Sequence, residues 1–67
     1  MKLTDLIDKY IVVEKRDGKI VSGILIDILN NNEDDESIAY TTLIIRVDNN
    51  KFQNVHLIEV ENIGEVE

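Results

Sequence analysis

From Ile11 onward the chain is dominated by β-branched side chains. Eleven Ile, seven Val and three Thr make up 21 of its 67 residues. Such side chains lose rotamer freedom in a helix and pack well on a pleated surface, so the bulk of the chain is expected to form strands. Ile11 to Lys15 reads as a first strand and Arg16-Asp17-Gly18-Lys19 as a hairpin turn, the Asp-Gly pair supplying the positive φ that tight turns need. A second, long strand runs from Ile20 to Leu29. It places Ile24, Ile26 and Ile28 on one face and Val21, Leu25 and Leu29 on the other, so it is apolar on both. A strand of that kind is either sandwiched or bent, and Gly23 is the position where a bend is least costly. A third strand is expected from Ile38 to Asp48, with Leu43, Ile45 and Val47 in phase. A tight turn follows at Asn49-Asn50, since Asn tolerates the left-handed region, and then a fourth strand from Phe52 to Leu57. There the apolar phase slips from odd (Val55, Leu57) to even (Ile58, Val60). The slip predicts a bulge or one helical turn before a fifth strand around Glu59 to Ile63.

The first ten residues differ. Leu3, Leu6, Ile7 and Tyr10 recur at helical spacing, with Asp5, Asp8 and Lys9 between them, predicting a short amphipathic α-helix over residues 1–10 with Thr4 as its cap. Fewer than three turns do not persist alone in water, so this helix must lie against the sheet. The expected core is Leu6, Ile7, Ile11, Val13, Val21, Ile24, Ile26, Leu43, Ile45, Val47, Val55, Leu57, Val60 and Ile63.

Length bounds what such a fold can do. A chain of 67 residues makes one domain that buries only about 60% of its unfolded surface, too little to wall off a deep cleft between lobes. Catalysis is therefore not expected. There is no Cys, which removes disulfides, thiolate metal sites and redox motifs, and fits an intracellular, cytoplasmic setting. Apolar runs stop at three residues, such as Ile24 to Ile26, whereas a membrane span needs roughly 20.

Charge is the chain's most distinctive functional signal. Fourteen acidic against seven basic side chains give a net charge of −7, and the excess is localised. Asn30 to Ser37 carries −4 on Glu33, Asp34, Asp35 and Glu36, and the last nine residues carry −4 on Glu59, Glu61, Glu65 and Glu67. The remainder, seven positive and six negative, is nearly neutral. Binding to nucleic acid rests on basic side chains meeting phosphates, so these eight carboxylates argue against a direct nucleic-acid site and in favour of a basic protein surface as partner. The plainer alternative is that acidic segments keep a small domain soluble.

No pattern of catalytic or metal-binding residues emerges. Asn30, Asn32 and Asp34 alternate as in a calcium loop, but the template's sixth and twelfth positions fall on Asp35 and Thr41 instead of Gly and Glu. His56 is the one histidine and has no second nitrogen or sulfur ligand nearby in sequence, which reads as an exposed strand residue. Ser22, Ser37 and the threonines form no nucleophile elbow, the paired Asp34 and Asp35 sit in a solvated loop, and Gly18 and Gly23 are too far apart to cradle a phosphate. No cofactor, metal or catalytic residue is expected.

Two resemblances add to this reading. Asp17-Gly18-Lys19-Ile20-Val21-Ser22-Gly23-Ile24-Leu25 resembles the first half of the Sm motif, in which a turn Gly is followed five residues later by a second Gly inside a bent strand. With the helix and five consecutive strands, that resemblance implies a mainly β fold, a short N-terminal α-helix followed by a five-stranded antiparallel SH3-like or Sm-like barrel. It also implies an oligomeric RNA or nucleotide binder, but the family's RNA-contacting positions fall here on Glu33 and Arg46-Val47, and its strand Asp falls on Leu29. The second resemblance covers under a quarter of the chain. Asp5-Leu6-Ile7 and the strand from Thr42 to Asn50 are similar to segments of small acidic phage proteins that block type II-A CRISPR nucleases by imitating DNA. It implies an inhibitor whose carboxylates occupy a basic nuclease surface. Four carboxylates over nine extended residues give one charge per roughly 7 Å, against one per about 1.7 Å in duplex DNA, so the terminal segment would need the 30–37 loop or a second subunit beside it.

Three functions are thus expected to compete: an acidic protein-binding module, an Sm-like oligomer that binds RNA, and an assembly component whose edge strands pair between copies.

Overall fold

The structure, a computed structural model, describes residues 3–30 and 40–66. It is mainly β: a 3₁₀ turn η1 (Leu3–Leu6), strands β1 (Tyr10–Lys15), β2 (Ile20–Leu29), β3 (Thr42–Asp48) and β4 (Lys51–His56), a second 3₁₀ turn η2 (Leu57–Glu59), and β5 (Val60–Glu65). All pairings are antiparallel, in the order β4-β3-β2-β1-β5.

Two expectations need correction. The α-helix over residues 1–10 is a 3₁₀ turn of four residues, and Tyr10 belongs to β1. The turn is held by i→i−3 bonds (Ile7 N–H to the Thr4 carbonyl, 3.3 Å; Lys9 N–H to the Leu6 carbonyl, 3.0 Å) and ends where Asp8 takes a φ of 70°. Past that point the backbone is recruited by the sheet, because Asp8 N–H donates to the Leu25 carbonyl at 2.8 Å and Leu25 N–H to the Lys9 carbonyl at 3.0 Å. Two short turns of helix offer less than continuous pairing with β2. The second correction concerns closure: the sheet is open, with β4 and β5 as its edges and η2 carrying the chain from one to the other without a ladder between them.

The core lies on one face of this sheet. Leu6, Ile11, Val13, Val21, Leu25, Leu43, Ile45 and Val55 are buried, and Leu3, Ile7, Ile28, Leu57, Val60 and Ile63 pack around them half-exposed. Leu25 takes the place expected for Ile24 and Ile26, which are only half-buried, and Val47 is exposed. Val47 sits where the register of β3 against β4 shifts, between Arg46 and Asp48, and β2 has a bulge of its own. Its register against β3 shifts between Leu25 and Asp27, so the inward phase passes from Val21, Gly23 and Leu25 to Ile28. The bend expected at Gly23 therefore falls two residues later.

Gly23 is needed for another reason. A Cβ built there meets the Arg46 carbonyl oxygen at 2.2 Å, so the glycine lets β2 and β3 approach. Gly18 has the positive φ (88°) expected of the β1–β2 turn, which is closed by Lys15 N–H to the Lys19 carbonyl (2.8 Å) and by Lys19 N–H to Asp17 Oδ1 (2.9 Å). The Asn49-Asn50 turn forms as expected, though positive φ among the non-glycine residues described occurs at Asp8 and Asn30 and at neither of these. The phase slip before β5 is resolved by η2, one helical turn.

Candidate binding surface

Of the eight acidic positions singled out from sequence, Glu33, Asp34, Asp35, Glu36 and Glu67 lie outside the described residues. Glu59 ends η2, and Glu61 and Glu65 are on the edge strand β5. Each of these three carboxylates faces a cation of the domain itself. Glu59 Oε2 is 3.7 Å from Lys15 Nζ, Glu61 Oε2 accepts from Arg16 Nη1 at 3.0 Å, and Glu65 Oε1 is 3.9 Å from Lys9 Nζ. Arg16 also donates from Nε to the Ile58 carbonyl (3.1 Å), and its backbone N–H donates to the Glu59 carbonyl (2.8 Å), so the β1–β2 hairpin is tied to η2 by two bonds and to β5 by the one to Glu61. Locally, then, three negative charges meet three positive ones.

The Arg16–Glu61 pair is the most exposed, with half or more of both side chains accessible, whereas 18% of the Lys15 side chain is. An exposed pair is worth only about 0–1 kcal/mol, so a partner's cation can replace Arg16 at small cost. The carboxylates remain usable. The field they project is weaker than a count of acidic residues suggests.

The root of the 30–37 segment is well defined. Asn30 takes a φ of 59°, its Nδ2 donates to the Tyr40 carbonyl (3.3 Å), and the buried Thr41 returns a bond from Oγ1 to the Asn30 carbonyl (3.1 Å). Leu57 N–H donates to the Thr41 carbonyl at 2.9 Å. The first residue of η2 is thus bonded directly to the root of the first acidic segment, and Glu59 follows within the same turn. Sequence alone left the relation of the two segments open; the fold bonds Thr41, which follows the first, to Leu57, which precedes the second.

The other candidates carry little. His56 is exposed on β4, its Nδ1 3.2 Å from Thr42 Oγ1, and no group of three metal-ligating side chains occurs among the described residues. Asn30, weighed as a calcium ligand, and Thr41, at the template's failing twelfth position, are occupied in the loop root; Asn32, Asp34 and Asp35 are outside the described residues. A depression of about 210 Å³ lies among Lys15, Arg16, Asp17, Ile58 and Glu59. It is smaller than the roughly 300–1,000 Å³ of ordinary ligand sites. No helix among the described residues is long and apolar enough to cross a membrane.

Sequence reasoning passed over the outward face of the sheet. There Tyr10 pairs with Ile24, Ile24 with Arg46 and Arg46 with Phe52, which sets four side chains in one row across β1, β2, β3 and β4. The signal was present as the even-numbered residues of β2, which were assigned to the core. No protein-family model matches this chain, and neither a curated protein nor a solved structure matches it.

Proposed function

We propose that this domain is a non-enzymatic protein-binding module whose acidic segments contact a basic protein surface. The observation that supports this reading is the Leu57 to Thr41 hydrogen bond. Thr41, itself bonded to Asn30, follows the first −4 stretch of sequence, and Leu57 opens the turn in which the second begins. In its particular form the module is a phage or mobile-element inhibitor that competes with DNA for a nucleic-acid enzyme, as the resemblance of Asp5-Leu6-Ile7 and Thr42 to Asn50 suggests. Cleavage of a DNA target by a type II-A CRISPR nuclease, with the protein in excess, tests that form. The expected result is inhibition that weakens with salt and disappears when Glu33, Asp34, Asp35, Glu36, Glu59, Glu61, Glu65 and Glu67 are replaced by their amides. Inhibition that survives this replacement removes the acidic reading, and undiminished cleavage in the presence of the unmodified protein removes the inhibitor.

A second reading is favoured by the strand order. The succession β4-β3-β2-β1-β5, a 3₁₀ turn between β4 and β5, and a glycine at the β2–β3 approach are compatible with an SH3-like or Sm-like scaffold, its sheet open, that acts as an RNA-binding ring or as an assembly component. It predicts an oligomer that retards uridine-rich RNA. A monomer by light scattering with no retardation excludes the ring.

A further inference from the structure

The row Tyr10–Ile24–Arg46–Phe52 contains no carboxylate, in a chain with twice as many acidic as basic residues. Tyr10 is 47% and Phe52 59% exposed, Arg46 is exposed, and Ile24 between them is half-buried. With strands about 4.8 Å apart, the two aromatic rings flank a strip about 14 Å wide.

Among the described residues Lys9, Lys15 and Arg16 each face a carboxylate, whereas Arg46, like Lys19 and Lys51, makes no ion pair. Two carboxylates stand near it in the sheet, Asp27 opposite Ile44 and Asp48 two residues along β3. Both are turned to the backbone instead: Asp27 Oδ1 accepts from Ile28 N–H and Asp48 Oδ1 from Asn49 N–H, each at 2.8 Å.

We infer that this row is a docking face for a partner segment that presents one carboxylate between apolar or aromatic side chains, the carboxylate meeting Arg46 and the apolar groups meeting Tyr10, Ile24 and Phe52. Aromatic residues and Arg are the types enriched at the centres of protein interfaces, and the guanidinium is suited to bidentate capture of a carboxylate. Charge argues against a second copy docked row to row, because such a two-fold contact buries two guanidiniums and the row itself supplies no carboxylate. The inference is independent of the acidic segments, which lie on other elements.

The test is an NMR titration of the ¹⁵N-labelled protein with a blocked tripeptide of phenylalanine, glutamate and phenylalanine, and with the same peptide carrying glutamine at its centre. The expected result is amide shifts centred on Tyr10, Ile24, Arg46 and Phe52, with the glutamate peptide binding roughly twofold to fivefold more tightly. Arg46→Gln, an exposed substitution whose folding the same spectrum reports, should equalise the two peptides, and Arg46→Lys should restore part of the preference. Equal binding of both peptides to the unmodified protein, shifts centred elsewhere, or no shift at millimolar peptide overturns the inference. Concentration-dependent shifts of the row without peptide would make the occupant a second copy, and shifts produced only by uridine-rich RNA would make it a nucleic acid; either overturns it too.

Discussion

Gly23 shows how one atom decides whether two strands can meet. Adding a Cβ would place it 2.2 Å from the Arg46 carbonyl oxygen and 2.9 Å from its carbon, both backbone atoms within the β2–β3 ladder. A flexible side chain could swing away from such a clash, but a paired carbonyl cannot. Gly23→Ala is therefore expected to cost at least about 2 kcal/mol. Gly18→Ala should cost about 1 kcal/mol, because its φ of 88° strains any L side chain although the space around it is open. Gly64→Ala, with nothing near its Cβ, should change stability by less than about 0.5 kcal/mol. Urea unfolding midpoints of the three variants check the ranking, and an undisturbed Gly23→Ala would contradict the close approach. Thr41 makes a similar point with a hydroxyl. It is 1% exposed and bonds the Asn30 carbonyl, so Thr41→Val, which keeps its shape, is expected to lose about 1 kcal/mol, while Thr41→Ser retains the bond.

At the scale of elements, β2 determines which residues become core. Its bulge between Leu25 and Asp27 turns the inward phase from odd to even positions, so one strand contributes Val21 and Leu25 before the bulge and Ile28 after it. Leu25→Ala should therefore cost about 2–5 kcal/mol and Ile26→Ala about 1 kcal/mol, although both are aliphatic and adjacent. Equal losses by thermal unfolding would place the bulge elsewhere. The extent of β2 was legible from sequence, since half of its ten residues are Ile or Val and they are bounded by the Asp17-Gly18 turn and the Asn-rich acidic stretch. The position of its bend was not, because a strand glycine marks a bend or a close approach equally well and the structure uses it for the second. Leu3, Leu6, Ile7 and Tyr10 carried a true helical period, but over so few residues pairing with Leu25 outweighs it. The acidic positions were legible as charge. The pairing of Glu59, Glu61 and Glu65 with cations was not, since Arg16 and Glu61 meet across 45 residues of sequence and nothing local in either segment announces the other.

For the whole molecule, the decisive pairing is the most distant one. β5 lies against β1 from Ile11↔Glu65 to Lys15↔Val60, covering the strand that holds the fully buried Ile11 and Val13. It also brings Val60 and Ile63 onto the core. Long-range contacts of this kind cost loop entropy before they return any stabilisation, so a sheet that depends on them forms cooperatively or not at all. In a domain this small the total stability is only several kcal/mol, and losing two core side chains together with a full edge ladder exceeds it. A chain ending at Glu59 is therefore expected to lose its cooperative thermal transition and its strand signal in far-ultraviolet circular dichroism. Ending it at Glu65 removes one described backbone bond, Val66 N–H to the Tyr10 carbonyl, and should lower stability by about 1 kcal/mol. If the shorter chain still melts in a single sharp transition, then β2, β3 and β4 form a self-sufficient unit and β5 is an attachment. If it does not, Glu61 and Glu65 belong to a strand the fold cannot release, and any partner must bind them where they stand.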